Sequence, residues 1–212
     1  MENLTRYSCG FNVRQILTDL IKSRRSVRRY TAEAIPKETI WRLLEAATWA
    51  PSAHNRQPWR FAVSTESADK DRLARAMGAR LRADRRADGD DPEDIERDVA
   101  RSYARLTGAP VLIVVCLSMG NMDTYPDPRR SRNEWIMAAQ STAMAAQNLL
   151  LLAHADGLAA CWVCAPLFVP DLVRKTLKLP DDWEPQGLIT LGKAAETREN
   201  TRAPIGTRVR FV

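Results

Sequence analysis

The chain has 212 residues, of which 45% are hydrophobic, and a formal net charge of +6. This length favours one domain, or two small ones, with a sizeable core. The positive excess is small and interrupted by acidic residues, so it gives no indication of nucleic-acid binding by itself. No apolar run is long and uncharged enough to span a bilayer, and the N-terminus lacks the apolar core of a signal peptide. We therefore expect a soluble, cytoplasmic protein.

The cysteines favour reduced thiols over disulfides or metal ligands. They are Cys9, Cys116, Cys161 and Cys164. Three of them fall in apolar segments, as is typical of buried free thiols. Cys161 and Cys164 have C-x-x-C spacing, but they lie in or at the end of a strand-like run, whereas a redox motif would open a helix. A zinc site would need more ligands than His54 and His154 can add, so we predict no metal site.

The first distinctive feature is a group of arginines near the N-terminus. Residues 1–10 are predicted to form a flexible arm, and apolar spacing predicts a helix over 11–22. The helix is followed by Arg24, Arg25, Ser26, Val27 and Arg28. On an extended backbone, Arg24, Ser26 and Arg28 would share one face. Guanidinium and hydroxyl donors match phosphate oxygens, so the cluster is a candidate phosphate clamp. The alternative, commoner for an arginine run alone, is a solvated basic surface.

The rest of the first half is predicted from proline positions and apolar spacing. In order, it contains a helix between Pro36 and Pro51, a polar loop over 51–58, a strand over 59–63, a basic helix over 69–86, and a helix that starts at Asp91 and Pro92. The segment 78–107 is the most charged part of the chain. It is either a solvated excursion or a mobile lid over a substrate site.

The second half has stronger patterns. In order, it contains a strand over 111–117, an irregular loop over 121–130, a helix over 134–155 ended by Gly157, a strand over 158–163, a short helix over 170–180 and a strand over 187–192. The 134–155 helix is apolar on nearly every side, so it should lie in a core or an interface. The tail 193–212 lacks a helical pattern, and residues 208–212 alternate like an edge strand. We expect this tail to wrap another surface, such as a second subunit.

Strands interleaved with helices around one apolar helix predict α/β or α+β layers. The chain has no G-x-G-x-x-G segment after a strand and no Walker-type loop. The sequence therefore supports neither a Rossmann dinucleotide site nor a nucleoside triphosphatase.

The order of five motifs resembles the FMN-dependent nitroreductase family over roughly residues 14–205. The motifs lie at 24–30, 50–61, 147–158, 161–162 and 191–192. Two more segments, 124–130 and 179–187, are similar to the flavin domain at the C-terminus of coenzyme F420:L-glutamate ligase. The resemblance implies an α+β fold, namely a three-layer α/β/α sandwich formed by a single domain over 1–212. It also implies a domain-swapped homodimer with two FMN sites at the interface, in which the C-terminal arm 193–212 wraps the partner.

The same resemblance implies the residues of the FMN site. The implied phosphate and ribityl site is Arg24, Arg25, Ser26, Val27 and Arg28. The implied isoalloxazine loop, often supplied by the partner subunit, is Ser52, Ala53, His54, Asn55 and Gln57. The implied turn facing the flavin ring is Cys164, Ala165 and Pro166. Arg202 matches a C-terminal basic residue that returns to the phosphate, with Arg198 and Arg208 as nearby alternatives.

The function implied by the resemblance is hydride transfer through FMN. A reduced nicotinamide, NAD(P)H, or a deazaflavin would be the donor, and a small conjugated, nitroaromatic or quinone-like molecule the acceptor, with ping-pong kinetics. No side chain is expected to act as a catalytic group, although Arg28 or Arg56 would stabilise the anionic reduced flavin. Two alternatives stay open. One is a reductase of a coenzyme F420 intermediate, whose acidic tail would bind the arginines of the 69–86 helix. The other is a non-catalytic flavin-binding module.

Overall fold

The structure is a computed structural model that describes residues 13–212, so the predicted arm over 1–10 lies outside the described residues. Within this range the α-helices are α1 Val13–Ser23, α2 Lys37–Thr48, α3 Ser67–Ala87, α4 Pro92–Thr107, α5 Pro128–Ala155 and α6 Pro170–Leu177. The strands are β1 Trp59–Ser64, β2 Val111–Leu117, β3 Ala159–Val163 and β4 Glu184–Gly192. Short 3-10 helices occupy Ala53–Asn55, Ala165–Phe168 and Ile205–Arg208.

The four strands form one antiparallel sheet in the order β1-β2-β4-β3. All residues of β2 are buried because this strand is central and covered on both faces. Successive side chains of β2 alternate between the two faces, so Ile113 packs with Leu43 and Leu149, while Leu112 packs with Leu73. Helices α2 and α5 thus cover one face, and α3, α4 and α6 cover the other. The arrangement confirms the predicted α+β class and its three layers.

Helix α5 is the core helix that its composition predicts. Ala138, Thr142 and Leu149 are fully buried, and the helix packs against α2 and the sheet. By length and composition α5 could cross a membrane, but these contacts are those of a core helix. The helix ends at Ala155, and Gly157, two residues later, turns the chain away with a φ of 73° in the left-handed region.

The start of α5 differs from the prediction, which placed an irregular loop over 121–130. The helix begins at Pro128, because the Asp127 side chain accepts a hydrogen bond from the Arg130 amide at 3.0 Å. Proline disrupts a helix interior but is well suited to the first helical position, where its missing N–H is not needed. Pro128 therefore opens the helix instead of excluding it.

The charged segment 78–107 is a helical hairpin of α3 and α4. Ile95 and Leu106 are fully buried on its inner side, and the Asp91 side chain caps α4 by accepting from the Glu93 and Asp94 amides. The charges on its outer side form a solvated face. Movement of this hairpin as a lid stays a prediction.

Among residues 13–212, the C-terminal tail forms backbone hydrogen bonds with the rest of the chain at its beginning. The Thr31 amide donates to the Lys193 carbonyl at 2.9 Å, and the Ala195 amide donates to the Arg29 carbonyl at 3.0 Å. Beyond residue 200 every residue is exposed. The predicted edge strand over 208–212 is wrong for this single chain: residues 205–208 form a 3-10 helix and no strand follows. A strand needs a neighbouring strand for its backbone hydrogen bonds, and none lies beside this segment within residues 13–212.

Candidate functional site

The arginine cluster lies on the segment that joins α1 to α2, beside the exposed edge of β3. The Val27 amide donates to the Ala160 carbonyl at 3.3 Å, and Ser26 forms a parallel bridge with Ala160. Val27 is buried and anchors the segment. Because this short stretch is held extended against β3, alternate residues project from it on the same side.

A cleft of about 300 Å³ opens next to this segment. Its lining residues are Arg24, Ser26, Ala143, Ala146, Gln147, Leu150 and Trp162. The alanines come from α5, and their small side chains leave the space that forms the cleft. Burial lowers the pKa of Arg24, and the nearby positive charge of Arg202 lowers it further. Arg202, on the exposed tail, is thus near enough for its charge to affect Arg24; the role of both residues at a phosphate stays a prediction.

A second pair of guanidiniums lies between the same segment and α4. Arg105 is half-buried, and burial together with the positive charge of Arg28 lowers the pKa of Arg105. The Arg28 backbone amide donates to the Glu196 carboxylate at 3.0 Å, and its guanidinium donates to the Ser26 carbonyl at 3.3 Å. Sequence reasoning missed Arg105, because nothing in the charged pattern of α4 distinguishes it from its neighbours.

These arginines lack the carboxylate partners that most arginines of the chain have. Within residues 13–212, no carboxylate lies within ion-pair distance of the guanidiniums of Arg24, Arg25, Arg28, Arg105 or Arg202. Positive groups that converge without counter-ions repel one another. An anion that accepts their hydrogen bonds would relieve this repulsion, and phosphate has the matching geometry.

The arginines of α3, in contrast, are compensated. Their ion pairs are Arg72–Asp69, Arg75–Asp71, Arg80–Asp84, Arg82–Glu96, Arg85–Asp90, Arg85–Asp98 and Arg86–Glu96. The hypothesis that this helix holds the acidic tail of a substrate therefore gains no support from the charges on its surface.

The loop after α2 has an unusual backbone. His54, Asn55 and Gln57 have φ angles of 49°, 54° and 50°, in the left-handed region that only glycine adopts readily. Each such residue costs on the order of 1–3 kcal/mol, so the surroundings must enforce it. The Ser52 hydroxyl accepts from the Gln57 amide at 3.1 Å, and the Ala53 amide donates to the Ser141 hydroxyl at 3.3 Å. Three strained residues in a short exposed loop are typical of a binding site.

This loop and the cleft lie on opposite sides of α5 in one chain. The loop contacts Ser141, whereas Ala143 and Leu150 line the cleft. At 3.6 residues per turn, Ser141 is rotated from Ala143 by about 200° and from Leu150 by about 180°. A single chain therefore does not bring Ser52, Ala53, His54, Asn55 and Gln57 to the arginine cluster.

The turn at Cys164 is connected to the cleft through Trp162. Cys164 is exposed, and its sulfur accepts a hydrogen bond from the Trp162 indole at 3.0 Å. Ala165 and Pro166 follow in the 3-10 helix Ala165–Phe168. The Trp162 ring packs directly on Gly187, where an added Cβ would lie 2.3 Å from ring atom Cζ2. Trp162 was noted in the sequence only as part of a motif, and the structure adds it to the candidate site.

Cys161 is buried, and the part of the chain that the structure describes contains no group of three or more His, Cys, Asp or Glu that could hold a metal ion. Cys161 and Cys164 are both free thiols.

Comparison with known proteins gives consistent matches. Residues 21–193 match the model of the nitroreductase family. An NADH dehydrogenase of Thermus thermophilus is 30% identical, covering 82% of this chain and 84% of its own length. The NAD(P)H nitroreductase YfhC of Bacillus subtilis is 28% identical, covering 91% of this chain and 92% of its own.

Solved structures agree over nearly the whole chain. A nitroreductase from Desulfovibrio desulfuricans in complex with FMN has a TM-score of 0.70 and 28% identity, covering 91% of this chain and 94% of its own. The FMN-dependent nitroreductase NfnB of Mycobacterium smegmatis in complex with NADPH has a TM-score of 0.75 and 25% identity, covering 95% and 100%.

Proposed function

This chain belongs to the nitroreductase family, and from that we propose that it is an FMN-dependent oxidoreductase. It would transfer hydride from NAD(P)H to a small conjugated, nitroaromatic or quinone-like acceptor. The observation that carries the proposal is a cleft lined by Arg24 and Ser26, in which the guanidinium of Arg24 is partly buried, lacks a carboxylate partner within residues 13–212 and is affected by the positive charge of Arg202. When bound, FMN supplies the chemistry by accepting hydride from the donor and passing it to the acceptor.

The residues of this chain fit the phosphate of such a cofactor. Arg24 and Ser26 would donate hydrogen bonds to it from the cleft wall, Arg25 lies next to them, and Arg202 would close over it from the tail. The small residues of α5 and the flat Trp162 ring leave room for the rest of the molecule. The turn at Cys164, Ala165 and Pro166 lies two residues beyond Trp162, so it would border the ring system.

Arg28 and Arg105 are the best candidates to stabilise the anionic reduced flavin. Arg56, the other candidate from the sequence, is paired with Asp123 at 2.5 Å, so its charge is largely compensated. Arg28 and Arg105 have no such partner, and each would favour a negative charge placed between them. The chain's contribution to the reaction would be binding, orientation and this electrostatic stabilisation, without a side chain that transfers a proton.

We also propose the domain-swapped homodimer. Helix α1 buries none of its residues in the single chain, and its apolar side chains Ile16 and Leu17 are more than half exposed. A groove of about 1540 Å³ runs between α2 and β1, an edge strand that pairs with β2 on one side and with no strand of residues 13–212 on the other, and Trp41 lies exposed in this groove. The tail ends in the fully exposed apolar residues Phe211 and Val212. The tail of one chain would fill the groove of the other, where residues 208–212 could become the strand that the single chain does not form.

Such a dimer would also complete the site. The loop over 52–57 faces away from the arginine cluster of its own chain, so it would contribute to the site of the partner. Light scattering should give twice the mass of one chain, and deletion of residues 205–212 should weaken the dimer. A monomeric full-length protein, or a truncated protein that dimerises as tightly, would contradict the proposal.

The first experiment on function is a visible spectrum of the purified protein with mass identification of any released chromophore. We expect a yellow protein that releases FMN and oxidises NADH or NADPH with a nitroaromatic or quinone acceptor, with parallel double-reciprocal plots. FMN binding without turnover by any donor would indicate a non-catalytic flavin module. A colourless protein that refuses added FMN would overturn the assignment of the arginine cluster.

Reduction of a coenzyme F420 intermediate stays a prediction, as does a deazaflavin donor. None of the relatives named above is described as acting on F420, and the α3 arginines that would hold its acidic tail are ion-paired. Cytoplasmic location likewise stays a prediction.

A further inference from the structure

His154 follows Leu150, a residue that lines the cleft, by one turn of α5, so the two side chains lie on the same face of the helix. Its ring atom Nε2 is 2.8 Å from the hydroxyl of Ser23, the residue immediately before Arg24. A half-buried imidazole is thus fixed at the edge of the arginine cluster by a hydroxyl from the same segment.

The charged surroundings of His154 are dominated by arginine. Burial lowers the pKa of His154, and the positive charges of Arg24 and Arg25 lower it further. The other charged groups on neighbouring elements are Asp19 and Lys22 of α1, and Arg42 of α2, which pairs with Asp156 just after α5 at 2.7 Å. Of all these, only the two arginines affect the histidine appreciably. Without an anion in the cluster, burial and these two positive charges therefore both disfavour the imidazolium.

We propose that His154 and Ser23 form a further part of the phosphate site, and that His154 takes up a proton from solvent when the phosphate binds. This inference rests on the proposed function, because the phosphate is that of FMN. A dianionic phosphate offsets the positive charges of Arg24 and Arg25, so it shifts the balance toward the imidazolium that the arginines alone disfavour.

Protonation also changes what Ser23 can donate. In the imidazolium both ring nitrogens are donors, so Nε2–H donates to the Ser23 oxygen. The Ser23 hydroxyl proton is then free to donate to a phosphate oxygen. In the neutral ring, Nε2 can instead accept a hydrogen bond from the Ser23 hydroxyl, which then has no proton left to donate to phosphate. Proton uptake at His154 thereby adds one positive charge and one hydrogen-bond donor to the site.

The direction of the pH effect follows from linkage. If bound phosphate raises the pKa of His154, the affinity for FMN increases as the pH falls. The increase is up to tenfold for each pH unit between the pKa of His154 in the free protein and its pKa in the complex. The phosphate, with a second pKa of about 6, acts in the opposite direction, because it loses charge on acidification. The contribution of His154 is therefore the difference between the wild-type protein and a variant that cannot titrate.

The experiment is calorimetric titration of FMN into the apoprotein between pH 5.5 and 8, in buffers of different ionisation enthalpy. The wild type should take up more protons per FMN than His154→Gln. The ratio of the FMN affinity at pH 6 to that at pH 8 should be at least threefold larger for the wild type than for this variant. His154→Lys, with a permanent charge, should bind FMN tightly without the extra uptake. Ser23→Ala should reduce the uptake, and it is an independent test if His154→Gln folds poorly.

Riboflavin, which lacks the phosphate, is the matched control ligand. It should show no difference in proton uptake between wild type and His154→Gln. Equal proton counts for FMN in both proteins would overturn the role of His154 while leaving the proposed function intact. Failure of the wild type to bind FMN more tightly than riboflavin would instead overturn the phosphate site itself.

Discussion

Substitution of Gly187 by alanine tests how the sheet forms the wall of the cleft. The new Cβ would lie 2.3 Å from Trp162 Cζ2 and 2.7 Å from Cε2 and Cη2, far inside normal contact distance. Strand β4 is paired on both sides: its residue Gly187 lies opposite Val115 of β2, and its residue Ile189 lies opposite Trp162 of β3. The backbone therefore cannot retreat without breaking pairs on one side, and the indole must move.

Overpacking of this kind costs typically 1–3 kcal/mol. For a chain of this size that corresponds to a fall in melting temperature of about 2–4 °C per kcal/mol. The displaced indole also loses its hydrogen bond to Cys164 and intrudes on the cleft. We expect both lower stability, measured by thermal or urea unfolding, and weaker FMN binding.

Two controls make this test specific. Gly206→Ala adds the same methyl group where no atom of its own chain lies within 4 Å, so it should leave the stability of the single chain unchanged, as measured at a protein concentration at which light scattering shows a monomer. Trp162→Leu in the Gly187→Ala background should recover part of the loss, because the smaller side chain vacates the space, and the two substitutions should be strongly coupled. A Gly187→Ala protein as stable as wild type, or additive effects of the two changes, would refute the reasoning.

Three further predictions follow from the same structure. Arg24→Gln should weaken FMN binding by about 10–100-fold, because a charge-assisted hydrogen bond contributes about 1.5–3 kcal/mol. Arg75→Gln removes an exposed arginine paired with Asp71 and should change FMN affinity little. Equal losses of affinity for the two variants in a fluorescence titration would exclude a specific clamp. Arg105→Gln should lower the two-electron potential of bound flavin by roughly 20 mV for about 1 kcal/mol of lost stabilisation, and an unchanged potential in a dye-coupled titration would remove Arg105 from the site. Burial raises the pKa of Tyr30, so the folded state keeps its phenol protonated where the unfolded chain ionises, and stability should fall as the pH rises above about 10. Tyr30→Phe should be less stable than the wild type at neutral pH, and its free energy of unfolding should decrease less as the pH rises above about 10. Identical pH profiles of the free energy of unfolding in urea for the two proteins would contradict this.

The sequence was sufficient where one local pattern decides the structure. The all-apolar β2 could only be a buried strand, and the composition of α5 allowed only a core or interface helix. The start of α5 was missed because Pro128 has opposite effects at the first position and in the interior of a helix, and the deciding Asp127 cap depends on backbone geometry. The edge strand over 208–212 is absent from the single chain because an alternating pattern forms a strand only where a neighbouring strand exists.

Some residues of the candidate site could likewise be predicted from the sequence, and others could not. Arg24, Ser26 and Arg28 could be found because they are adjacent in sequence and the extended backbone aligns them. Arg105 could not, since it approaches Arg28 only after α4 packs against the sheet, and its own helix is full of other arginines. It differs from Arg97 and Arg101 of the same helix because these two have carboxylate partners and Arg105 has none within residues 13–212, and this is a property of three-dimensional contacts.

The placement of the loop and the arginine cluster on opposite sides of α5 has a genetic consequence. In the proposed dimer each site combines the cluster of one chain with the loop of the other. If a chain damaged at Arg24 is paired with a chain damaged at Asn55, both lesions fall in one site and the second site is intact. Two inactive alleles would therefore complement each other when expressed together, and random pairing would restore roughly a quarter of the sites.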